Sequence, residues 1–356
     1  MFFNTGVNTM KAAEIIESLY RNHDASREEL RWLIENRNED VSQRLFELAS
    51  AAARAHFGNK IYVRGLIEMT NYCRNDCYYC GIRRGNAAAQ RYRLTKEDIM
   101  RCCESGYGLG FRTFVLQGGE DMYYTDDIMA DIIGAIRSAY PDCAITLSLG
   151  EKTRESYQRL YDAGADRYLL RHETATPEHY AKLHPAELSL ANRIECLRSL
   201  KEIGYQVGCG SMVGSPYQTL DNVVEDLLFI KGFAPQMVGM GPFIPHHETP
   251  FADKRAGTAE LTLFLLAIVR LMNPKVLLPA TTALGTIEDN GRELGVLAGC
   301  NVVMPNLSPL NVRRKYMLYD NKISTGDEAA EARASLERRM RAIGYEVVTE
   351  RGDYRD

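Results

Sequence analysis

No surplus of either charge runs through this chain: 43 Lys and Arg face 47 Asp and Glu, a formal net charge of −4 with an isoelectric point near 6.1. Without a basic surplus nothing in the composition draws nucleic acid or an anionic membrane, so neither is an expected partner. Long apolar runs are missing too. The most apolar stretch, Leu261–Met272, is too short to span a bilayer and carries Arg270. The opening residues, MFFNTGVNTMKAAEII, lack the basic segment and apolar core of a secretory leader. A reducing, cytoplasmic setting is the expectation. What remains is 356 residues, 45% hydrophobic and 25% charged, the composition of a globular enzyme with a full core. That length suits two domains, or one α/β barrel of about 250 residues with extensions.

Cysteine is present in an odd number, nine, and six of the nine (Cys102, Cys103, Cys143, Cys196, Cys209, Cys300) are scattered through apolar segments, which argues against disulfides. The other three fall inside eight residues, Cys73-Arg74-Asn75-Asp76-Cys77-Tyr78-Tyr79-Cys80, just after the apolar run Ile61–Met69. A structural zinc site would want a second cysteine pair or nearby histidines. No second C-x2-C-like pair exists, and the nearest histidine, His56, lies upstream of the run. A C-x3-C-x2-C triplet supplies three of the four thiolates that close a cubane iron–sulfur cluster. The fourth iron is then open to a ligand that is not protein, such as S-adenosylmethionine (SAM). Zinc, or spacing by chance, is the alternative. A reducing compartment also suits an oxygen-sensitive cluster.

Residues 1–57 read as helical, with Asn8 or Thr9 as a candidate cap before Ile15, Ile16 and Leu19, then segments Glu28–Ile34 and Val41–Ala55. After that the pattern alternates. Strand-like runs at 61–69, 112–117, 144–149, 166–170, 206–213, 236–243, 276–281 and 300–304 enclose helix-like segments near 95–106, 125–139, 153–163, 189–203, 219–231, 258–272 and 290–298. Thr95 with Asp98, Thr176 before Pro177, and Thr219 mark helix starts; Gly164, Gly204 and Gly299 mark helix ends. Eight strands, seven intervening helices and an amphipathic segment near 328–343 predict a (β/α)8 TIM-type barrel, with an open doubly wound sheet as runner-up. The expected division is an N-terminal helical extension (1–57), the barrel (58–306) and a C-terminal segment closing or flanking it (307–356).

Active residues of such barrels sit at the carboxyl ends of the strands, where the cysteine triplet follows strand one. After strand two comes Gln117-Gly118-Gly119-Glu120, where paired glycines admit a close ligand and the carboxylate can hold an ammonium group; a tight turn uses the same residues. Strand four, Asp166–Glu173, alternates so that Arg167, Leu169 and Arg171 share one face. Two arginines in a barrel need anionic partners, either a carboxylate of substrate or SAM, or a structural pair with Glu173 or Glu151. Strand seven ends in Thr281-Thr282, two hydroxyls for a small polar ligand. His246-His247 could ligate metal or simply be solvated and hydrogen-bonded. Met237 and Met304 read as core filler.

The triplet, with aromatic Tyr79 before its last cysteine, resembles the radical SAM superfamily. Within it, Cys73–Gly81 with Arg91-Tyr92-Arg93, Val115–Asp121 with Tyr123-Tyr124, Thr146–Glu151, Ala163–Ala175, Gly210–Gly214, Met237–His246, Pro279–Thr282 with Gly285-Thr286, and Asn301–Asn306 are similar to the HydE family of [FeFe]-hydrogenase maturases. The likeness spans roughly residues 55–320. It implies a [4Fe–4S] cluster on Cys73, Cys77 and Cys80, with SAM chelating the fourth iron. It also implies SAM contacts from Tyr79, Gln117, Gly118, Gly119, Glu120, Glu173 and Arg193, with Met237, Met304, Tyr316 and Leu318 around the adenosyl group. Thr146, Arg167, Arg171, Thr281 and Thr282 would line the substrate cavity. The implied activity is reductive cleavage of SAM to a 5′-deoxyadenosyl radical that attacks a small sulfur-containing or iron-complex substrate. It serves assembly of the dithiomethylamine-bridged diiron subcluster of the H-cluster. Implied partners are the other hydrogenase maturases and a reductant such as ferredoxin or flavodoxin. Some family members carry three further cysteines near the C-terminus; here none follows Cys300, so a single cluster is expected. Methylornithine synthase and biotin synthase share the barrel and triplet, although Asn301–Asn306 and Arg171-His172-Glu173 look unlike the biotin synthase site. A non-catalytic cluster carrier would explain the cysteines alone.

Overall fold

The structure, a computed structural model, describes residues 3–323 and 329–355. Three helices come first: α1 (Phe3–Asn22), α2 (Arg27–Glu35) and α3 (Glu39–Phe57). Then follow β1 (Lys60–Val63), β2 (Gly65–Thr70), α4 (Lys96–Gly108), β3 (Thr113–Gly118), α5 (Asp126–Ala139), β4 (Ala144–Ser148), α6 (Arg154–Asp162), β5 (Arg167–Leu169), α7 (Pro177–Leu183) and α8 (Leu190–Ile203). The second half runs β6 (Gln206–Cys209), β7 (Met212–Val213), α9 (Leu220–Phe233), β8 (Met237–Val238), β9 (Gly241–Pro242), α10 (Ala259–Met272), α11 (Thr282–Ile287), α12 (Gly291–Leu297) and β10 (Val302–Val303). The chain ends with α13 (Leu310–Arg313), α14 (Ala329–Ala342) and β11 (Glu346–Val348).

Parallel pairing runs β2-β3-β4-β5-β6-β8, continues through single bridges Met237–Leu277 and Pro279–Val302 to β10, and returns through β10–β1 and a Leu66–Asn306 bridge to the first strand. The ring is closed, as a (β/α)8 TIM-type barrel requires. Two expectations need correction. The run 276–281 forms no ladder, only two bridges, and Pro279 has no N–H to give one. The N-terminal helix starts at Phe3, upstream of both Asn8 and Thr9, so neither caps it. Residue 328, the expected start of the last helix, lies outside the described residues. Where caps were legible they form: Thr95–Asp98 and Thr219–Asn222 make reciprocal boxes, whereas Thr176 makes no side-chain cap bond. Gly164, Gly204 and Gly299 all take positive φ, at 114°, 109° and 101°.

The strands' outward residues, such as Ile145, Leu147, Tyr168 and Leu170, join the helices in one continuous core. The apolar stretch 261–272 is explained by its place: α10 packs on the barrel side and is covered outside by α1 and α3. Its buried Arg270 gives its guanidinium to the Gly299 and Pro274 carbonyls and to Asn301 Oδ1 at 2.7, 2.8 and 3.1 Å. Among the described residues no helix is long and apolar enough to cross a membrane. At the amino-terminal end of the barrel, β11 adds parallel to β1, and residues 351–354 reach across to Thr113, Arg167 and Gln206.

Candidate active site

β2 ends at Thr70, and the chain that follows is held open by its own backbone partners. Asn71 accepts from the Tyr92 amide at 2.8 Å and donates to the Gln90 and Lys315 carbonyls at 2.9 and 2.7 Å. Arg91 spreads its guanidinium over the carbonyls of Asn71, Ile82, Arg83 and Asn86. Asp76 receives the Gly85 amide at 2.8 Å and Arg83 at 2.7 Å. A loop so stitched holds Cys73, Cys77 and Cys80 in place without any help from regular structure. All three thiols are unpaired and partly buried. Burial pushes each thiol up, Cys80 to about 12, and in Cys77 and Cys80 the neighbouring cysteines push further in the same direction. Backbone amides oppose this: those of Asn75 and Glu120 reach Cys73, the latter at 3.4 Å, and that of Ile82 reaches Cys80. Amides aimed at sulfur stabilise thiolate, the form that binds metal.

The turn after β3 lies directly against this loop. A Cβ on Gly119 would come 2.2 Å from Tyr72 O and 2.7 Å from Cys73 Cβ, so only glycine permits the contact. Glu120 is buried, receiving Arg74 Nε at 3.0 Å and the Glu151 amide at 2.8 Å. Gly150, with φ +74°, leaves room that a Cβ 2.1 Å from Glu120 Cγ would fill. The chain of charges continues from Glu151 to Arg193 Nε at 2.5 Å, and Arg193 Nη1 donates to Arg171 O at 2.7 Å. Arg171 Nη2 in turn meets Glu173 at 2.6 Å. Glu173 is buried at φ +66°, a strained conformation for a side chain of this kind and one that clusters at functional sites. The Arg–Glu pair foreseen for strand four is therefore present, between Arg171 and Glu173.

Tyr79 faces a wall that sequence reading missed: its hydroxyl meets His184 Nε2 at 3.1 Å, and the His184 ring stacks on Tyr180 at 3.9 Å. Burial lowers His184 to about 4, so it is neutral there. Only the Thr176-Pro177 start signal pointed to the helix that carries this wall. Over the opposite side runs a strap, residues 315–323. Its Leu318 carbonyl accepts from the Gly81 amide at 2.8 Å, Tyr316 OH from Gln117 Nε2 at 3.3 Å, and Pro245 O from Asp320 N at 3.0 Å. Lys322 pairs with Glu68, both buried, and Asn306 donates to the second Glu68 oxygen at 2.9 Å. His247 Nδ1 lies 2.7 Å from Asp320, and His246 Nδ1 accepts from the Glu248 amide at 3.1 Å. That amide leaves the proton of His246 on Nε2, the atom nearest Asp320. The histidine pair is hydrogen-bonded, tying loop to strap, and its ligand atoms together with those of Asp320 also lie within 4.8 Å of one another, as a metal site requires.

Deeper in the barrel the alternation of strand four holds, since Tyr168 and Leu170 belong to the outer core while Leu169 and Arg171 lie together beside Gly239. Arg167 needs correction as a ligand for substrate. It is fully buried, and each nitrogen has a protein partner: Gln206, Thr113 Oγ1, Arg351 O and Asp353, the last at 2.6 Å. Its anion is a residue of the C-terminal tail. Thr281 Oγ1 caps α11 by accepting from Leu284 N at 3.3 Å, and Thr282 is the first residue of that helix. Thr146 is buried with no partner for its hydroxyl, and Arg171 Nε is likewise unpartnered. Met237 packs with Tyr62, Leu277 and Val302, with Met304 at the edge of the group, as core filler should. Gly118 pairs with Thr70 at the strand end. One further group escaped sequence reading. Arg64, between β1 and β2, is buried with Nε and Nη2 unpartnered and Nη1 at 3.0 Å from Met237 Sδ. Reading 61–69 as one strand hid it.

Residues 67–230 match the model of the radical SAM superfamily. Over 314 residues the chain is 46% identical to the [FeFe] hydrogenase maturase subunit HydE of Thermotoga maritima, covering 88% of this chain and 89% of that protein. The chain belongs to the HydE family of radical SAM enzymes. The family reaches its fold relatives at lower identity. The 3-methylornithine synthase of Methanosarcina barkeri is 29% identical over 322 residues, 89% of this chain and 88% of that one. A crystal structure of methylornithine synthase superposes with a TM-score of 0.81 at 26% identity, covering 94% and 97% of the two chains. Iron–sulfur and SAM binding follow from membership, and the cysteine loop with its sulfur-directed amides fits the first of them.

Proposed function

We propose that this enzyme holds one [4Fe–4S] cluster on Cys73, Cys77 and Cys80 with SAM at the open iron, and acts in assembling the dithiomethylamine-bridged diiron subcluster of the H-cluster. When bound, the cluster and SAM supply a 5′-deoxyadenosyl radical for attack on a small sulfur-containing or iron-complex substrate. The observation that carries the reading is the seating of the Gly119–Glu120 turn against Cys73, in a chain 46% identical to a HydE maturase. It brings a carboxylate to the edge of the cysteine loop, where an amino group chelated at the open iron would lie.

In this reading Gln117, Gly118, Gly119, Glu120, Glu173 and Arg193 orient the methionine part of SAM, and Tyr79 walls the loop. Met304, Tyr316 and Leu318 cover the adenosyl side, with Met237 beneath. Substrate is held by Thr146, Arg171 and Thr282, with Thr281 retaining a hydroxyl proton to donate. The partnerless Thr146 hydroxyl and Arg171 Nε support that assignment, because buried polar groups left unsatisfied are costly. Arg64 adds positive charge to the same interior, favouring an anionic substrate. The strap 315–323 keeps water out. Residues 58–306 make the catalytic barrel, 1–57 an extension, and 307–356 the closing segment. The partners are the other hydrogenase maturases and a ferredoxin- or flavodoxin-type reductant.

The test is anaerobic reconstitution. Under dithionite the protein should release 5′-deoxyadenosine from SAM, and SAM should alter the reduced cluster's EPR signal. A cluster carrier would show neither. Added to the partner maturases, the protein should activate apo-[FeFe]-hydrogenase; formation of methylornithine instead would sink the assignment.

A further inference from the structure

Six large apolar side chains are exposed among the described residues, and three of them, Tyr72, Met122 and Tyr123, form one patch beside Cys73. The grouping is geometric. Arg93 lies over both tyrosine rings, 3.8 Å from the centroid of Tyr72 and 4.8 Å from that of Tyr123. Arg74 Nη1 stands 3.8 Å from Met122 Sδ. Met122 is 70% exposed and Tyr123 54%, which packing within the chain does not account for. The ionic partners are layered. Asp121 and Glu120 are 3% and 8% exposed beneath, whereas Arg93 and Arg74 are 35% and 51% exposed above them. The outward face is therefore apolar at its centre with guanidiniums on the Arg93 and Arg74 sides, and Asp126 lines the cleft beside Met122. Tyr72 is covalently next to Cys73, so the patch is also a short path from solvent to the cysteine loop.

We infer that this patch is the docking site of a flavodoxin-class electron carrier. Resting on the function proposed above, the inference names where the reductant binds. A carrier of this class presents the apolar edge of its flavin within a ring of carboxylates, complementary to an apolar centre flanked by guanidiniums. One electron would leave the carrier's anionic flavin hydroquinone, which becomes the neutral semiquinone with no proton released, and would pass to the cluster that Cys73, Cys77 and Cys80 would hold. Electron transfer weakens steeply with distance, which favours contact at a face adjoining the cysteine loop.

The test uses the reconstituted full chain with Met122→Glu/Tyr123→Glu, and Met122→Ser/Tyr123→Ser as a pair that adds no charge. Binding of oxidised flavodoxin, followed by calorimetry, should weaken at least tenfold in the Glu pair and less in the Ser pair, and more steeply at low salt. Flavodoxin-driven SAM cleavage should fall in the same order, while dithionite-driven cleavage and thermal stability stay within twofold and about 2 °C of the parent. Unchanged flavodoxin affinity overturns the docking site, as does a loss seen with ferredoxin and not with flavodoxin. If the parent protein fails to cleave SAM even with dithionite, the functional reading fails instead, and the binding measurement still decides the surface.

Discussion

Cys77 and Arg171 separate what the loop does from what the strand does. Cys77 is among the most desolvated thiols of the loop, pushed well up by burial and by Cys80 and Cys73, so a bound metal must displace its proton. Cys77→Ala should leave the protein without stoichiometric iron and sulfide and without SAM cleavage, as metal analysis and absorbance would show. Arg171→Ala removes the partner of Glu173 but touches no cysteine. It should keep full iron content and the SAM-dependent EPR change, while substrate-dependent turnover falls by about 30-fold or more, the loss of one charge-assisted contact of about 2–3 kcal/mol. Normal turnover in that variant would remove the charged-cavity argument. At this scale sequence reading found Arg171 because strand alternation is a local rule. It misjudged Arg167 because the counter-ion, Asp353, is 186 residues away in the chain. Arg64 escaped because an orphaned guanidinium is visible only once its neighbours are in place.

Turns and caps are where elements were most legible. The Thr95–Asp98 box needed only two residues at fixed spacing, and it forms; Thr219, read only as a helix start, makes a box with Asn222 as well. Removing one side of such a box, Thr95→Ala, should lower stability by about 1 kcal/mol in urea unfolding with cluster content unchanged. The contrast is Gly119→Ala, at the junction of β3 with the cysteine loop. The added methyl would sit 2.2 Å from Tyr72 O, against backbone that is itself pinned by Asn71 and Arg91. The loop must shift, so iron loading should drop severalfold while far-UV circular dichroism remains that of the parent. Equal loading would mean that the turn and loop are looser than this geometry. Apolar pattern masked the broken strand: the run 276–281 is apolar enough for a ladder, but Pro279, already visible in the sequence, removes a donor and leaves two bridges.

The barrel as a whole is closed at its amino-terminal end by the chain's own tail. The eightfold alternation was legible because each βα unit carries its own period. The tail was not, since β11 has no partner until β1 is placed beside it. Arg351 bridges Asp166 at 3.0 Å, and Asp353 meets Arg167 at 2.6 Å. Burial works against the Asp353 carboxylate, but Arg167 and Arg351 outweigh it and hold the group at about 2, below its ordinary 3.8. A folded-state value lower than the unfolded one means that the carboxylate stabilises the fold above about pH 4, and that this contribution fades as the pH falls through 2. Its size is about 2 kcal/mol. Asp353→Asn should cost at least that near neutrality, and about 3–5 kcal/mol if Arg167 is left charged and without a counter-ion. The difference between parent and variant should be level from pH 7 to 5 and narrow below pH 4. Arg167→Met should recover much of the loss when combined with Asp353→Asn, because the buried charge that needed the tail is gone. Urea midpoints of the four proteins across that range measure the coupling. A loss that is the same at pH 2.5 as at pH 7 would show that the tail holds by packing alone.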